Sequence, residues 1–294
     1  MPSTPHIFDH KAIRRNQQRI AQKQETFLHD WSLENITERL QVVRREFETS
    51  VVSGTRANIN APQLGNIQYL GASKNISPED DNDSADSLQN EILPLAENSA
   101  DSFIDILSLH TKNDLPGALI QINRALKPDG LFVGAMFGGE TLYELRASLG
   151  HAEMQIANGV RPRVYPFADK QQMGSLMQRA GFALPVIDSE LIHASYENIY
   201  TLMRDIRNMG QSSALAGRTQ HFTRKALFDL AGKYYNDNFS EKDGRITATF
   251  EIIFLLGWAP HESQQKPLRP GSAEMKLADI LDTEEIGTGE KAKP

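Results

Sequence analysis

Two side chains able to move protons follow short apolar stretches of the chain. His110 comes directly after residues 102–109, a largely apolar run of strand length, and Tyr143 comes shortly after a second such run, residues 131–137. Imidazole and phenol groups act as acids or bases when a reacting group lies within hydrogen-bond reach. His110 and Tyr143 are therefore candidate catalytic residues. A packing or capping role for His110 is an equally good reading of the sequence.

The segment between the two runs predicts a helix that joins them. Asp114 is placed to cap this helix, and Pro116 fits its first turn, where a missing N–H group does no harm. Residues 127–130 (KPDG) predict a turn into the second strand. Strand, helix and strand make a βαβ unit of a parallel sheet, and ligands of such sheets bind beyond the carboxyl ends of the strands. Those ends are His110 and residues 137–139.

The remaining pattern predicts a helical cover and further strands. Residues 7–48 are expected to be helical, with Ser32 capping a helix over residues 34–47. Helices are also expected over residues 170–180, 199–209 and 223–235. Residues 182–187 and 192–196 predict two strands, and residues 245–256 predict the last long strand.

Four stretches of the chain resemble the class I S-adenosylmethionine-dependent methyltransferase fold: LPLAENSADSFIDILSLH, NDLPGAL, LKPDGLF and FGGETLYELR. More narrowly, they resemble the methyltransferase-like assembly factors of respiratory complex I and their bacterial relatives, which are related to the methyltransferase of biotin synthesis. The likeness extends to IFDHKAIRRNQQRIA and ATFEIIFLLGWAPHESQQKPLRPGSA, so it covers nearly the whole chain. It implies a Rossmann-like α/β fold with a mostly parallel, seven-stranded sheet and helices on both faces.

The resemblance also implies a site for S-adenosylmethionine. It assigns cofactor contacts to six residues: Gly54, Gln89, Asn90, Glu91, Leu109 and His110. The chain departs from the family pattern at three cofactor contacts, one of which is Gln89 in place of an acidic residue that contacts the adenine ring. Only Gly54 stands where several closely spaced glycines are expected, and no acidic residue follows the second strand until Glu79. The acidic tract over residues 78–86 is either a solvated loop or a substitute for the missing ribose ligand.

Three functions follow from the resemblance. The first is a methyltransferase of the complex I assembly-factor type that uses S-adenosylmethionine. The second is a non-catalytic methyltransferase-fold scaffold that binds a protein subunit of a respiratory complex. The third is an arginine-hydroxylating relative, which would use the same pocket differently. Whether the chain is an enzyme stays open at this point, because a fold does not decide a function.

Composition narrows the class of protein. A net charge of −7 gives no reason to expect nucleic-acid binding, and the absence of cysteine excludes thiolate metal sites and disulfides. No apolar run is long enough for a transmembrane helix, no metal site is expected, and a cytoplasmic bacterial protein is predicted. We expect an amino-terminal helical cover over residues 1–48, a methyltransferase-like domain over residues 49–257 and a family-specific tail over residues 258–294.

Overall fold

The computed structural model describes residues 6–20, 27–54, 59, 61–70, 91–157, 159–219 and 221–265. Within these ranges the helices are α1 (His10–Ile20), α2 (Phe27–Val42), α3 (Leu115–Ala125), α4 (Tyr143–Ala157), α5 (Lys170–Arg179), α6 (Ile199–Asn208) and α7 (Lys225–Phe239). The strands are β1 (Phe47–Gly54), β2 (Leu64–Leu70), β3 (Ala100–Ile106), β4 (Leu126–Phe137), β5 (Ala183–Tyr196) and β6 (Ile246–Trp258). Described residues up to Pro260 form one compact unit, and those from His261 onward belong to a second.

The strands form one sheet in the order β2-β1-β3-β4-β6-β5. Strand β1 pairs in parallel with β2 and β3, and β3 pairs in parallel with β4. Strand β6 runs antiparallel to both β4 and β5. The carboxyl ends of β1 to β4 therefore meet at one edge of the sheet. The Rossmann-like α/β fold predicted from the sequence is confirmed.

The sheet has six strands in the described part of the chain, where seven were expected. One reason is that the two strands predicted over residues 182–187 and 192–196 are a single strand, β5. The residues between them stay in register with β6, since Asp188 lies opposite Phe254 and Glu190 lies opposite Ile252. Their polar side chains are tolerated because β5 is the outer strand of the sheet and is partly exposed along its length.

The βαβ unit around β3, α3 and β4 confirms the prediction made for its helix. The Asp114 side chain caps α3 by accepting a 2.9 Å hydrogen bond from the Gly117 N–H group. The predicted turn at residues 127–130 is wrong, because these residues belong to β4. Asp129 has a φ of 62° within that strand, and the backbone on either side of this kink is bonded to Ala259.

The amino-terminal cover is shorter and differently divided than predicted. Ser32 lies inside α2 and is fully buried, so it is not a helix cap. Helix α2 ends at Val42, and the chain enters β1 at Phe47, where a helix had been expected to continue. Phe47 is buried and lies opposite the buried Leu64 of β2, so this pairing removes apolar surface from water.

Apolar side chains fill both faces of the sheet. On one face Ile104 packs in a cluster that includes Leu28 and Ile36 of α2. On the other face Phe103 packs in a cluster that includes Leu119 of α3 and Met173 of α5. Because both faces are covered, β3, β4 and β6 are buried at most positions and do not alternate between buried and exposed residues. No helix within the described ranges is both long and apolar enough to cross a bilayer.

Candidate functional site

A buried carboxylate organises the carboxyl end of β3. Asp105 is 1% exposed, and its Oδ1 accepts hydrogen bonds from the backbone N–H groups of Ser108 and Leu109 at 3.1 and 3.2 Å. Its Oδ2 accepts a hydrogen bond from the Ser108 hydroxyl. Burial raises the pKa of Asp105 above its ordinary value. These bonds hold the start of a 3-10 turn, η1 (Leu109–Thr111), and so fix the position of His110.

Gly54 ends β1 beside this turn. Its φ is 115°, and a Cβ atom there would lie 2.1 Å from the carbonyl oxygen of Ile106, so the close approach of β1 to β3 requires glycine. The neighbouring hydroxyl oxygens of Ser53 and Ser108 are 3.4 Å apart. We call Ser53, Gly54, Asp105, Ser108 and His110 the edge cluster. The cofactor contacts predicted for Gly54, Leu109 and His110 therefore fall on one short stretch of the strand edge.

His110 is enclosed by aromatic rings. It is 5% exposed, and its ring centroid lies 4.9 Å from that of Phe137 and 5.9 Å from that of Phe167. Its Nε2 atom lies 3.0 Å from the amide oxygen of Gln211. Since an amide oxygen only accepts, this contact places the proton on Nε2. The Nδ1 atom is then a buried acceptor, and it has no hydrogen-bond partner in the described part of the chain.

The protonation state of His110 follows from this enclosure. Burial lowers the pKa of His110 to about 4, and the nearby His29 lowers it further, while the bond to Gln211 acts in the opposite direction. The imidazole is therefore neutral near pH 7. A neutral ring with a free acceptor can orient an N–H or O–H group, and it does not repel a cation placed beside it.

Glu91, which was predicted to contact the cofactor, is held by the protein itself. Its carboxylate oxygens accept hydrogen bonds from the backbone N–H groups of Asn113 and Asp114, both at 2.7 Å. His10 Nε2 lies 3.3 Å from the same carboxylate, and Gln121 donates to the Glu91 carbonyl oxygen at 3.0 Å. Glu91 therefore stabilises the start of α3 and its contact with α1. A cofactor role for this residue stays a prediction.

The amino-terminal segment is fastened across the same edge. The Asn113 side chain accepts a hydrogen bond from the Phe8 N–H group at 2.8 Å and donates to the Phe8 carbonyl oxygen at 3.2 Å. Helix α1 then brings Ile13 against Leu107 and Thr111, where the space left is about 10 Å³. That is room for one water molecule at most. Helix α1 thus covers the end of β3.

A cavity of about 270 Å³ lies next to His110. Phe137, Tyr165, Phe167 and Gln211 each contact or pack near His110 and also line this cavity. Most of the other lining residues are apolar, and helices α4, α6 and α7 contribute five of them. The apolar ones are Leu142, Leu145, Leu149, Val164, Met203, Ile206, Met209, Phe228 and Phe250, and the polar ones are Thr141, Arg163, Ser212 and Ser213. The cavity therefore adjoins the edge cluster through the residues that pack around His110.

Tyr143, the second predicted catalytic residue, lies apart from this cavity. Its side chain is 41% exposed and packs edge-on against Phe239, and it is not part of the cavity wall. Its neighbour Glu144 is buried and accepts hydrogen bonds from Thr249. The structure does not bring Tyr143 together with His110, and its catalytic role stays a prediction.

The described residues fit one end of S-adenosylmethionine. Neutral His110 does not repel the sulfonium cation, and its Nδ1 atom is an acceptor without a partner among the described residues. The edge cluster also supplies the hydroxyl groups of Ser53 and Ser108. Gln89 and Asn90 lie outside the described residues, and so does the acidic tract over residues 78–86. Cofactor contacts predicted there stay predictions.

Two residues of the site were missed from the sequence. Gln211 follows a helix-ending glycine and has no motif around it, so nothing in the sequence indicated its bond to His110. Asp105 did give a signal, because a charged residue inside the apolar run 102–109 must be buried and needs hydrogen-bond donors. Its partners are the backbone and hydroxyl groups of the following turn.

Comparison with known proteins places these features in a family. A model of the methyltransferase domain matches residues 37–134. The malonyl-[acyl-carrier protein] O-methyltransferase of Gallionella capsiferriformans (strain ES-2) is 34% identical over 58% of this chain and 56% of its own length. The mitochondrial arginine-hydroxylase NDUFAF5 of Danio rerio is 42% identical over 65% of this chain, and the aligned stretch spans 59% of that relative.

A longer alignment decides the family. The mitochondrial arginine-hydroxylase NDUFAF5 of Rattus norvegicus is 35% identical over an alignment of 292 residues that covers 95% of this chain and 85% of that protein. The alignment covers the amino-terminal segment and the βαβ unit together. The resemblance read from the sequence is confirmed, and the chain belongs to the methyltransferase-fold family of the NDUFAF5 proteins.

Proposed function

We propose that the chain is a methyltransferase that binds S-adenosylmethionine at the edge cluster and holds its acceptor in the adjacent cavity. The observation that carries this proposal is the position of His110. It stands at the end of β3, beside Gly54 of β1, and four residues that surround it also line the cavity. The match to the methyltransferase domain and the similarity to an O-methyltransferase support the choice of cofactor.

Each group has a distinct role in this account. When bound, S-adenosylmethionine supplies an electrophilic methyl group. Asp105 and Ser108 hold the turn that carries His110, and Gly54 allows the backbone of β1 to approach it. With a pKa near 4, His110 is a poor base at pH 7, and its role is to hold Phe137, Phe167 and Gln211, which line the cavity. Methyl transfer needs chiefly such positioning of the two reactants.

A scaffold without catalysis is the second candidate, and Glu91 favours it. Both oxygens of this carboxylate are bound to backbone N–H groups, although the family pattern implies a cofactor contact here. In that case the fold serves to bind a protein subunit during assembly of a respiratory complex, as the family resemblance implies. The relatives named arginine-hydroxylases add arginine hydroxylation as a third candidate activity. A cytoplasmic, bacterial setting stays a prediction from the sequence.

Hydrogen exchange tests the place of the cofactor. Addition of S-adenosylmethionine to the full chain is expected to slow exchange of the backbone amides of residues 53–54 and 107–111, because ligand at the edge cluster suppresses local opening there. The outer strand β5 runs along the far side of the sheet and serves as the internal control. Its exchange is expected to be unchanged.

Two results would reject this placement. One is protection confined to β5 or to the surface of α7, and the other is no protection anywhere at saturating cofactor. The second result, together with a normally folded protein, would favour the scaffold.

A further inference from the structure

Two surface loops lie against each other beside the cavity, one after α4 and the other before α7. The Arg161 NH1 group donates to the Thr219 hydroxyl at 3.2 Å, and the Arg163 NH1 group donates to the Thr223 hydroxyl at 3.1 Å. The buried carboxylate of Glu153 on α4 fastens the first loop, since it accepts bonds from the Arg161 N–H group and from the Arg163 Nε, both at 2.6 Å. These bonds join the two loops into one surface.

Large apolar side chains project from this surface. Phe222 in the second loop is fully exposed, and Val160 in the first is 54% exposed. Val160 lies beside Gly150 of α4, on the helix face that also carries Met154, which is 56% exposed. Single exposed apolar residues are ordinary, but these lie on adjoining segments. A partner that covers them removes apolar surface from water, which favours association.

Basic side chains surround the apolar ones. Arg161, Arg224 and Lys225 are all exposed in the same two loops. Asp229, one helical turn after Lys225, is bonded to the Tyr200 hydroxyl at 2.5 Å. The chain as a whole has a net charge of −7, so this local group of cations is opposite in sign to the chain that carries it. Its complement is a surface in which carboxylates flank an apolar side chain.

The net charge also decides between a protein and a membrane as the partner. An anionic membrane faces a large part of the chain, whose net charge of −7 opposes the approach. A short acidic segment of a protein meets mainly the local cations, because interactions between exposed charges fade beyond a Debye length of about 8 Å at physiological salt. The charge distribution therefore favours a protein segment.

This surface adjoins the cavity. Arg163 lines the cavity and is bonded to Thr223 of the second loop. Phe228, one helical turn after Arg224, lines the cavity as well. A segment that binds across the two loops therefore lies next to the space in which one of its side chains could be held.

We propose that Val160, Arg161, Phe222, Arg224 and Lys225 form a docking surface for an acidic segment of a partner protein. An apolar side chain of that segment packs on Phe222 and Val160, and its carboxylates lie beside the three cations. The inference rests on the proposed function in one respect, since the acceptor group then belongs to the docked protein and enters the cavity from this surface.

Selection from a peptide library tests the chemistry of the partner. The probe is a phage-displayed library of random linear peptides, presented to the immobilised full chain. Enriched peptides are expected to carry aspartate or glutamate next to a large apolar residue, and their affinity is expected to fall with added salt because exposed charges are screened. Enrichment of basic or uncharged peptides would overturn the proposal, and so would the absence of enrichment.

Substitutions at exposed positions place the peptide. Phe222→Ser is expected to weaken the tightest enriched peptide at least about tenfold, because buried aromatic anchors dominate the affinity of interfaces. Arg161→Gln is expected to weaken it about threefold and to reduce its dependence on salt. Val42→Ser and Arg44→Gln, at exposed positions near the end of α2, are the matched controls and leave the affinity unchanged. Equal affinity for Phe222→Ser and the unaltered chain would overturn the proposal.

Other occupants of this surface are separated with the same variants. Co-sedimentation with phosphatidylserine vesicles tests a membrane, and sedimentation equilibrium tests a second copy of the chain. Vesicle binding that Phe222→Ser abolishes, or a dimer that it dissociates, would overturn the proposal in favour of that occupant.

Titration with S-adenosylmethionine separates this inference from the proposed function. Phe222→Ser is expected to bind the cofactor like the unaltered chain. Peptide binding without cofactor binding would reject the methyltransferase proposal and keep the docking surface. Cofactor binding without peptide binding would reject the docking surface alone.

Discussion

Replacement of Glu91 with alanine is expected to lower the free energy of unfolding by about 3 kcal/mol, because two hydrogen bonds from backbone N–H groups to a carboxylate are lost at once. The residue is 8% exposed, and its oxygens bond the N–H groups of Asn113 and Asp114 at 2.7 Å. The 3.3 Å contact with the His10 ring is lost with them. Urea unfolding followed by circular dichroism measures the change. Hydrogen exchange in α1 is expected to become faster in the same variant.

Glu97→Ala is the matched control for that experiment. Glu97 is exposed, and substitution of an exposed residue usually changes stability by less than about 0.5 kcal/mol. Glu91→Gln is expected to fall between the two, since an amide keeps one acceptor oxygen. A loss for Glu91→Ala no larger than that for Glu97→Ala would show that the carboxylate does not fasten α3 and α1.

Lowering the pH is expected to reduce the free energy of unfolding because His110 is buried. Its pKa is about 4 in the folded chain, against an ordinary value of 6.5, so between these values the unfolded chain takes up a proton that the folded chain refuses. The contribution of His110 to the free energy of unfolding is complete above pH 6.5 and is lost as the pH drops toward 4. Each pH unit in that window is worth about 1.4 kcal/mol, which gives a total of about 3 kcal/mol.

The variant His110→Gln isolates this contribution. Glutamine does not titrate, so the free energy of unfolding of the variant is expected to fall less steeply between pH 6.5 and 4. Burial lowers the pKa of His10 as well, in spite of the neighbouring Glu91, so a shallower slope of the same sign remains. His221→Gln, at an exposed position, is the control and keeps the full slope. Identical slopes for His110→Gln and the unaltered protein would contradict the buried, neutral state of His110.

The parts of the fold that local sequence could predict are those in which one residue decides a boundary. Asp114 caps α3, and Asp169 and Gln172 form a capping box at the start of α5, with Gly181 at a φ of 87° just beyond its end. The failures came from pairing between distant residues. The kink at Asp129 stays within β4 because Ala259 bonds to the backbone there, and the strand that starts at Phe47 depends on Leu64. Neither partner is close in sequence.

The candidate site also has a part that local sequence could predict and a part that depends on distant residues. The end of β3 could be placed from the apolar run before His110, and the βαβ unit put it beside the end of β4. The residues that surround His110 could not be predicted, because Tyr165, Phe167 and Gln211 come from two loops far along the chain. The contacts of Glu91 with the start of α3 could not be predicted from the sequence either. Its backbone has a φ of 53°, and its carboxylate turns toward a helix start whose position depends on the whole sheet.

The central claim is that the edge cluster binds S-adenosylmethionine, and calorimetric titration of the unaltered full chain tests it most directly. We expect a dissociation constant in the micromolar range, which corresponds to about 8 kcal/mol of binding free energy, for both the cofactor and its demethylated product. That result would mean that the end of β1 binds the cofactor with Gly54 in place of the several glycines of the family pattern. No heat of binding from either ligand at millimolar concentration, with the protein folded, would contradict the claim and leave the scaffold as the function of this chain.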